Sequence, residues 1–181
     1  MQNLAVALQN SERLFDENEI DAAIRRVAAD VRNDYAGPRP VYLSVMHGGM
    51  LFASRLSLAV GIDLEFDYLH ATRYRGATTG SGLAWLHRPA TPLEGRRVLI
   101  ADDILDEGHT LSAIIDYLKS EGARDVQSAV LVHKLHDRKA YPGMRADFTG
   151  LDVADRFLFG CGMDYKGYWR NAAGIYALKG H

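Results

Sequence analysis

Apolar residues recur along the chain at helical spacing in some segments and form short continuous runs in others. The first periodic segment predicts a helix, because its apolar residues return every three or four positions while charged residues occupy the other side. Asp16 can cap the start of this helix, Glu19 can complete a capping box, and Gly37-Pro38 ends it. The apolar residues of the helix are Ile20, Ala23, Ile24, Val27, Ala28 and Val31.

Short apolar runs that alternate with further helical segments predict the fold class. We expect strands over residues 41–46, 62–68, 83–87, 97–101 and 126–133, with helices over 50–60 and 110–120. Strands alternating with helices favour parallel pairing, so we predict an α/β fold with an open, mostly parallel twisted sheet and helices on both faces. The polar stretch 75–82 predicts a hairpin excursion. After Gly143, short strand-like pieces predict a small irregular hood.

The length of 181 residues predicts a single domain, with a core at about 15–140 and a hood that combines about 145–181 with the amino-terminal segment. Hydrophobic residues make up 48% and charged residues 24% of the chain, which is typical of a globular protein and excludes a disordered one.

Charge, apolar runs and cysteine content limit the partners and the compartment. A net charge of −2 gives no bulk basic field, so we expect no nucleic-acid partner. The amino terminus lacks the features of a signal peptide, and no uncharged run approaches the ~20 residues that span a bilayer, so we expect no membrane association. The single cysteine, Cys161, excludes an internal disulfide and suits a reducing cytoplasm.

The richest candidate site is an acidic turn expected over residues 102–109, between a strand and a helix. In open parallel sheets, ligands bind where strands end, and a helix N-terminus offers unpaired N–H groups to a phosphate. Four carboxylates would repel a bare phosphate, so the ligand should also bring Mg²⁺, ribose hydroxyls or a carbon that becomes positive during the reaction. The segment contains Asp102, Asp103, Asp106, Glu107, Gly108 and Thr110.

Two other interpretations of this segment are weaker. A solvated turn that only caps a helix needs one Asp or Ser, and it does not account for four acids. The spacing Asp-Asp-x-x-Asp also matches the metal motif of isoprenoid synthases. Those enzymes carry the motif on a long helix in an all-helical fold, whereas a β-rich run precedes it here.

The acidic segment resembles the phosphoribosyl pyrophosphate (PRPP) loop of the type I phosphoribosyltransferases, where a hydrophobic strand is followed by two acids, two apolar residues and Asp-Thr-Gly-x-Thr. Glu107 stands here where Thr is usual, and His109 where many purine-specific members have Lys. The resemblance implies that Asp102 and Asp103 hold ribose hydroxyls and orient Mg²⁺, and that Asp106 is the catalytic general base near purine N7. The residues it implies for binding PRPP or a nucleotide are Asp102, Asp103, Asp106, Glu107, Gly108, His109 and Thr110.

The resemblance extends from about residue 15 to about residue 178. Met46-His47-Gly48-Gly49 is similar to the family's pyrophosphate loop, which commonly contains a non-proline cis peptide; His47 replaces the usual Lys or Arg. Arg170 matches the arginine that reaches the pyrophosphate. Residues 72–82, with Arg73, Tyr74 and Arg75, resemble the family's flexible lid, which would keep water away from a cationic sugar.

A second group of residues resembles the purine pocket of the family. Lys134 matches the lysine that donates to the 6-oxo group of the base, since an ammonium can only donate. The resemblance implies that Phe157 stacks on the purine, Leu158 contacts it through the backbone and Met163 shapes the pocket. It places Asp164 near the 2-position or a second Mg²⁺.

Within the family, the chain is most similar to the hypoxanthine-guanine phosphoribosyltransferases. The implied reaction joins hypoxanthine or guanine to PRPP, giving IMP or GMP and pyrophosphate, with small-molecule partners, Mg²⁺ and a homodimer or homotetramer. One alternative is a relative that prefers xanthine. Another is an RNA-binding regulator on the same fold, which the net charge disfavours. A zinc site of His133, His136 and Asp137 is rejected, because no cysteine or third histidine is nearby.

Overall fold

The computed structural model describes residues 4–37, 39–73 and 83–179. The three predicted helices, and the strands predicted over residues 41–46, 83–87 and 126–133, begin and end within about three residues of their observed bounds. The elements are α1 (Leu4–Gln9), β1 (Ser11–Phe15), α2 (Glu17–Asp34), β2 (Val41–Val45), α3 (Gly49–Val60), β3 (Glu65–Arg73), β4 (Leu83–His87), β5 (Arg97–Leu105), α4 (His109–Ser120), β6 (Asp125–Leu135), β7 (Phe148–Ala154), β8 (Leu158–Phe159) and β9 (Ile175–Leu178).

The central feature is a six-stranded sheet in the order β4-β3-β2-β5-β6-β7. Strands β3, β2, β5, β6 and β7 run parallel, and only the edge strand β4 is antiparallel. Successive residues of the buried strands point to opposite faces of the sheet, so they contribute to two different hydrophobic cores. Helices α2 and α3 cover one face, and α4 covers the other. The predicted α/β fold with helices on both faces is confirmed.

Helix α2 begins with the capping box that the sequence predicts. The Asp16 side chain accepts a hydrogen bond from Glu19 N at 3.0 Å, and Asp16 N donates to Glu19 Oε2 at 2.9 Å. The helix ends at Asp34, before the predicted Gly37-Pro38 stop. Among the described helices, none combines the length and the apolar composition that a membrane crossing requires.

Both ends of the chain meet in a second, three-stranded antiparallel sheet, β1-β9-β8. Ser11 pairs with Leu178, so this sheet depends on contacts between residues far apart in the sequence. Phe159 and Tyr165 form its small core with Ala7. Helix α1 and strand β1 lie outside the sequence-based prediction, because a short segment paired only through distant contacts has no strong local signal.

The predicted acidic turn is wrong for its first residues. Strand β5 does not end at residue 101 but continues to Leu105, because its pairing with β6 extends through Asp102 opposite Val130 and Leu105 opposite His133. Asp102 and Asp103 therefore lie on a strand, and the turn begins at Asp106. This places the two carboxyls on a rigid element at the carboxyl edge of the sheet.

Candidate active site

The carboxyl ends of the central parallel strands meet at one edge of the large sheet, where a cavity of about 750 Å³ lies. This volume falls within the range of small-molecule binding sites. The residues predicted from the sequence converge here from five separate segments of the chain. Those that line the cavity are His47, Gly48, Asp102, Asp103, Asp106, Glu107, Gly108, His109, Thr110, Lys134, Phe157, Leu158, Met163, Asp164 and Arg170.

Asp102 and Asp103 form a carboxyl pair at the end of β5. Asp103 is buried, Asp102 is partly buried, and Asp103 N donates to Asp102 Oδ1 at 2.9 Å. Burial, and then the charge of Asp103, raises the pKa of Asp102 well above its usual value. Burial also raises the pKa of Asp103, although Arg170 opposes this. The protein therefore leaves the negative charge of this pair poorly compensated, which suits a bound cation.

The loop between β2 and α3 packs directly against this pair. The peptide between Met46 and His47 is cis, as the resemblance implies. A Cβ atom at Gly48 would overlap the Asp103 carboxylate, and one at Gly49 would lie 2.6 Å from the carbonyl oxygen of Ala101. Only glycines allow the backbone of this loop to come so close to the end of β5.

The first turn of α4 also lines the cavity. Gly108, at the N-cap, has a φ of 87°, in the left-handed region where glycine is unstrained, and a Cβ atom there would overlap Met144. Gly108 has no side chain that could cap the helix. N–H groups of the first turn are therefore available to an anionic ligand, beside the hydroxyl of Thr110.

Asp106 is held by two donors from the end of β6 and the loop after it. Its Oδ2 accepts from Lys134 Nζ at 2.9 Å, and its Oδ1 lies 2.8 Å from His136 Nε2. Burial alone would raise the pKa of Asp106, but the hydrogen bonds from Lys134 and His136 outweigh burial and lower it. Asp106 is therefore ionised at neutral pH.

The segment after β7 supplies the opposite wall of the cavity. Phe157 is 43% exposed and lines the cavity, and its ring makes an edge contact with Tyr165 with centroids 5.9 Å apart, so part of the ring is accessible to a ligand in the cavity. Leu158 and Met163 are buried beside it. The predicted purine-binding residues of this segment thus lie together.

Arg170 is tied to the same segment. Its Nη2 lies 2.7 Å from Asp164 Oδ1, and its Nη1 donates to Gly162 O at 2.6 Å. Asp164 Oδ2 also accepts from Gly167 N at 2.7 Å. Arg170 is close enough to the carboxyl pair of β5 to lower the pKa of both residues, so it brings positive charge to the cavity.

The predicted lid falls mostly outside the described part of the chain. Arg73 is the last residue of β3, which pairs with Leu83 of β4 in the predicted hairpin. Tyr74 and Arg75 lie outside the described residues, and the side chain of Arg73 is not described.

Within residues 4–37, 39–73 and 83–179, one group of acids and histidines has the spacing of a metal site. It consists of Asp106, His136 and Asp155, whose candidate ligand atoms lie within 4.8 Å of one another. Lys134 Nζ lies 2.9 Å from Asp106 Oδ2 and 3.8 Å from Asp155 Oδ1, so this cluster already contains a cation. It is a different set from the zinc site rejected from the sequence.

Three residues of the site had no clear sequence signal. His70 lines the cavity and packs edge-on against His47, with ring centroids 4.4 Å apart, because β3 extends past its predicted end. His136 was considered only as part of a zinc site. Lys139 donates to the carbonyl oxygens of Lys134 and Asp106, at 2.7 and 2.5 Å. Contacts to backbone carbonyls leave no sequence pattern, so only the fold could reveal this lysine.

Comparison with known proteins identifies the family of this chain. The model of the phosphoribosyl transferase domain family matches residues 10–166. A hypoxanthine-guanine phosphoribosyltransferase of Streptococcus pneumoniae (strain ATCC BAA-255 / R6) is 32% identical over 167 residues, which cover 92% of each chain. The structure of a hypoxanthine phosphoribosyltransferase from Staphylococcus aureus superposes with a TM-score of 0.88 at 28% identity, covering 99% of this chain and 96% of that one.

A third relative was solved with a nucleotide. The hypoxanthine phosphoribosyltransferase from Trypanosoma cruzi, in complex with the product IMP, is 26% identical with a TM-score of 0.85, covering 93% of this chain and 94% of that one. A family model that spans most of the chain and a relative more than 30% identical over almost its full length indicate the same family. This chain belongs to the phosphoribosyltransferase family.

Proposed function

We propose that this protein is a purine-salvage enzyme that transfers the 5-phosphoribosyl group of PRPP to N9 of hypoxanthine or guanine, giving IMP or GMP and pyrophosphate. The observation that carries the proposal is the cavity itself. One space of about 750 Å³ brings together an acidic pair, a helix N-terminus, a lysine and an open phenyl ring. These groups match, in turn, the ribose, the 5′-phosphate, the 6-oxo group and the purine plane. The S. pneumoniae and T. cruzi relatives support the same substrate class.

The sugar phosphate is assigned to the turn after β5 and the start of α4. N–H groups of the first turn of α4 and the Thr110 hydroxyl bind the 5′-phosphate, while Asp102 and Asp103 accept hydrogen bonds from the ribose hydroxyls. The backbone of Gly48 and the guanidinium of Arg170 bind the pyrophosphate, and the planar fork of Arg170 can contact two oxygens at once.

Mg²⁺ fits this site because Asp102 and Asp103 place two carboxyls side by side at the end of β5, where burial raises both pKa values and a bound cation would favour the charged forms. Carboxylate oxygens are also the protein ligands that Mg²⁺ prefers. We assign its binding to Asp102, Asp103 and Asp164. When bound, Mg²⁺ neutralises charge on the departing pyrophosphate.

The base is assigned to the space between Phe157 and Lys134. Phe157 stacks on the purine plane, and Lys134 donates to the 6-oxo oxygen. Because an ammonium cannot accept a hydrogen bond, a 6-amino group finds no partner there, and 6-oxopurines are favoured over adenine. Leu158 and Met163 close the pocket around the purine edge.

Asp106 is the general base of the proposed reaction. In the ligand-free protein, Lys134 Nζ donates a hydrogen bond to Asp106 Oδ2 at 2.9 Å, and this bond lowers the pKa of Asp106. When Lys134 moves to the 6-oxo oxygen, Asp106 loses one donor and becomes more basic, and its Oδ2 is available for the proton on N7. N9 then bonds to the anomeric carbon as the bond to pyrophosphate breaks. Binding of the correct base thus activates the residue that deprotonates it.

The test is nucleotide formation from PRPP and Mg²⁺ with hypoxanthine, guanine, xanthine, adenine, cytosine, thymine or uracil supplied singly. We expect turnover with hypoxanthine and guanine and none with adenine or the pyrimidines. Turnover with xanthine alone would replace the substrate assignment. An absence of turnover with every base, together with salt-dependent RNA binding, would instead identify a regulator.

A further inference from the structure

His136 contacts the proposed general base, yet none of the roles assigned above uses it. Its side chain is 5% exposed, and its Nε2 lies 2.8 Å from Asp106 Oδ1. Its Nδ1 accepts a hydrogen bond from the backbone N–H of Arg138 at 3.1 Å. A ring nitrogen that accepts cannot carry a proton, so the neutral ring must carry its proton on Nε2. His136 is therefore a donor to Asp106.

The backbone that carries Asp106 is fixed from the same loop. Lys139 Nζ donates to the carbonyl oxygens of Asp106 and Lys134, and Ala140 N donates to Glu107 O at 2.7 Å. With the backbone fixed, the orientation of the Asp106 carboxylate depends on the two donors that hold its oxygens, Lys134 and His136.

Substrate binding affects the two donors, Lys134 and His136, differently. In the proposed function Lys134 leaves Asp106 for the purine. Once it has left, the carboxylate could rotate and turn Oδ2 away from N7 unless Oδ1 stays bonded. His136 itself binds no part of the substrate in this scheme, and the hydrogen bond that its Nδ1 accepts from the Arg138 N–H keeps its ring in place.

We propose that His136 is a positioning residue, which holds Oδ1 of Asp106 so that Oδ2 faces N7 of the base while Lys134 binds the 6-oxo group. This inference rests on the proposed function and adds a residue to it. Positioning of this kind affects the chemical step, because a small misplacement of a reacting group lowers the rate by about 10²-fold, whereas PRPP binding uses other residues.

A matched pair of variants separates the two hydrogen bonds of this ring. The amide nitrogen of a glutamine reaches about as far as Nε2, so His136→Gln keeps the donor to Asp106. The shorter His136→Asn keeps an acceptor for the Arg138 N–H and loses the donor. We expect His136→Asn to lower kcat by roughly 10–100-fold with the KM for PRPP changed less than about twofold, and His136→Gln to recover most of kcat.

Two controls make the result specific. His133→Gln alters a buried histidine of β6 that lines the same side cavity as His136 and whose Nδ1 has no hydrogen-bond partner among the described residues, and it should leave kcat within about threefold of the wild type. In an Asp106→Asn background, His136→Asn should lower kcat no further, because the group it positions is already gone.

Unchanged kcat in His136→Asn would overturn the positioning role, as would equal losses in His136→Gln and His136→Asn, or an additive loss in the Asp106→Asn background. A wild-type protein that forms no nucleotide with any base would overturn the proposed function instead. The two failures are therefore distinguishable, since the first requires an active wild-type enzyme.

Discussion

Replacing Asp106 by Asn tests the centre of the proposed mechanism. The substitution keeps the size of the side chain but removes its charge and its ability to accept a proton. One of the two donors at 2.9 and 2.8 Å, Lys134 or His136, must then face an NH₂ group instead of an oxygen. Both the chemistry and the local hydrogen bonding are therefore changed.

The structure sets different magnitudes for these two effects. Loss of a general base lowers kcat by about 10²–10⁴-fold, equivalent to roughly 3–5 kcal/mol in the activation barrier. The stability cost is smaller. Asp106 is 46% exposed, so solvent screening reduces the ion pair with Lys134 to about 1 kcal/mol, and Lys134 keeps Asp155 at 3.8 Å. For a chain of this size, that lowers Tm by roughly 2–4 °C.

The assay is the initial rate of nucleotide formation at saturating hypoxanthine over a range of PRPP concentrations, with Tm measured on the same samples. Asp155→Asn is the matched control, because it makes the same chemical change beside the same lysine without touching the proposed base. We expect a large fall in kcat for Asp106→Asn, a KM for PRPP near the wild-type value, and little change for Asp155→Asn. A fall of less than threefold, or an equal rise in the KM for PRPP, would refute the base role.

Three further substitutions test other parts of the site. Gly48→Ala places a Cβ atom against the Asp103 carboxylate and should lower kcat/KM for PRPP by about 10²-fold; unchanged kinetics would contradict the close packing of this loop. Phe157→Ala should raise the KM for hypoxanthine about tenfold or more, because stacking on a base is worth about 1–3 kcal/mol, and Phe157→Leu should be less affected. Asp102→Asn should abolish most activity yet stabilise the ligand-free protein. The folded-state pKa of Asp102 is raised, so its ionisation destabilises the fold as pH rises from about 4 through that pKa. At pH 7 the Asn variant should therefore unfold about 2–4 °C above the wild type, and a lower Tm would contradict the burial argument.

The sequence predicted a structural feature correctly where the residues that form it lie within a few positions of one another. Asp16 and Glu19 form their capping box because both partners lie within one helical turn. The alternation of apolar runs with helical segments predicted the parallel sheet, because parallel strands need a long crossover connection, which is usually a helix. The ends of β3 and β5 were misplaced, because pairing with a neighbouring strand, rather than the local sequence, decides how far a strand continues. That one domain combines the core with the hood stays a prediction.

The sequence by itself determined which chemical groups are present and which of them end strands: the acids at the end of β5, the glycines after β2 and the lysine at the end of β6. Because parallel strands share one carboxyl edge, this order along the chain was enough to predict that they meet. Only the tertiary structure decided how they act on one another. The raised pKa of Asp102 and the contacts of Asp106 with Lys134 and His136 depend on burial and on distances of about 3 Å between residues some 30 positions apart. Such distances follow from how the strands and loops pack, and the order of residues along the chain does not encode them locally.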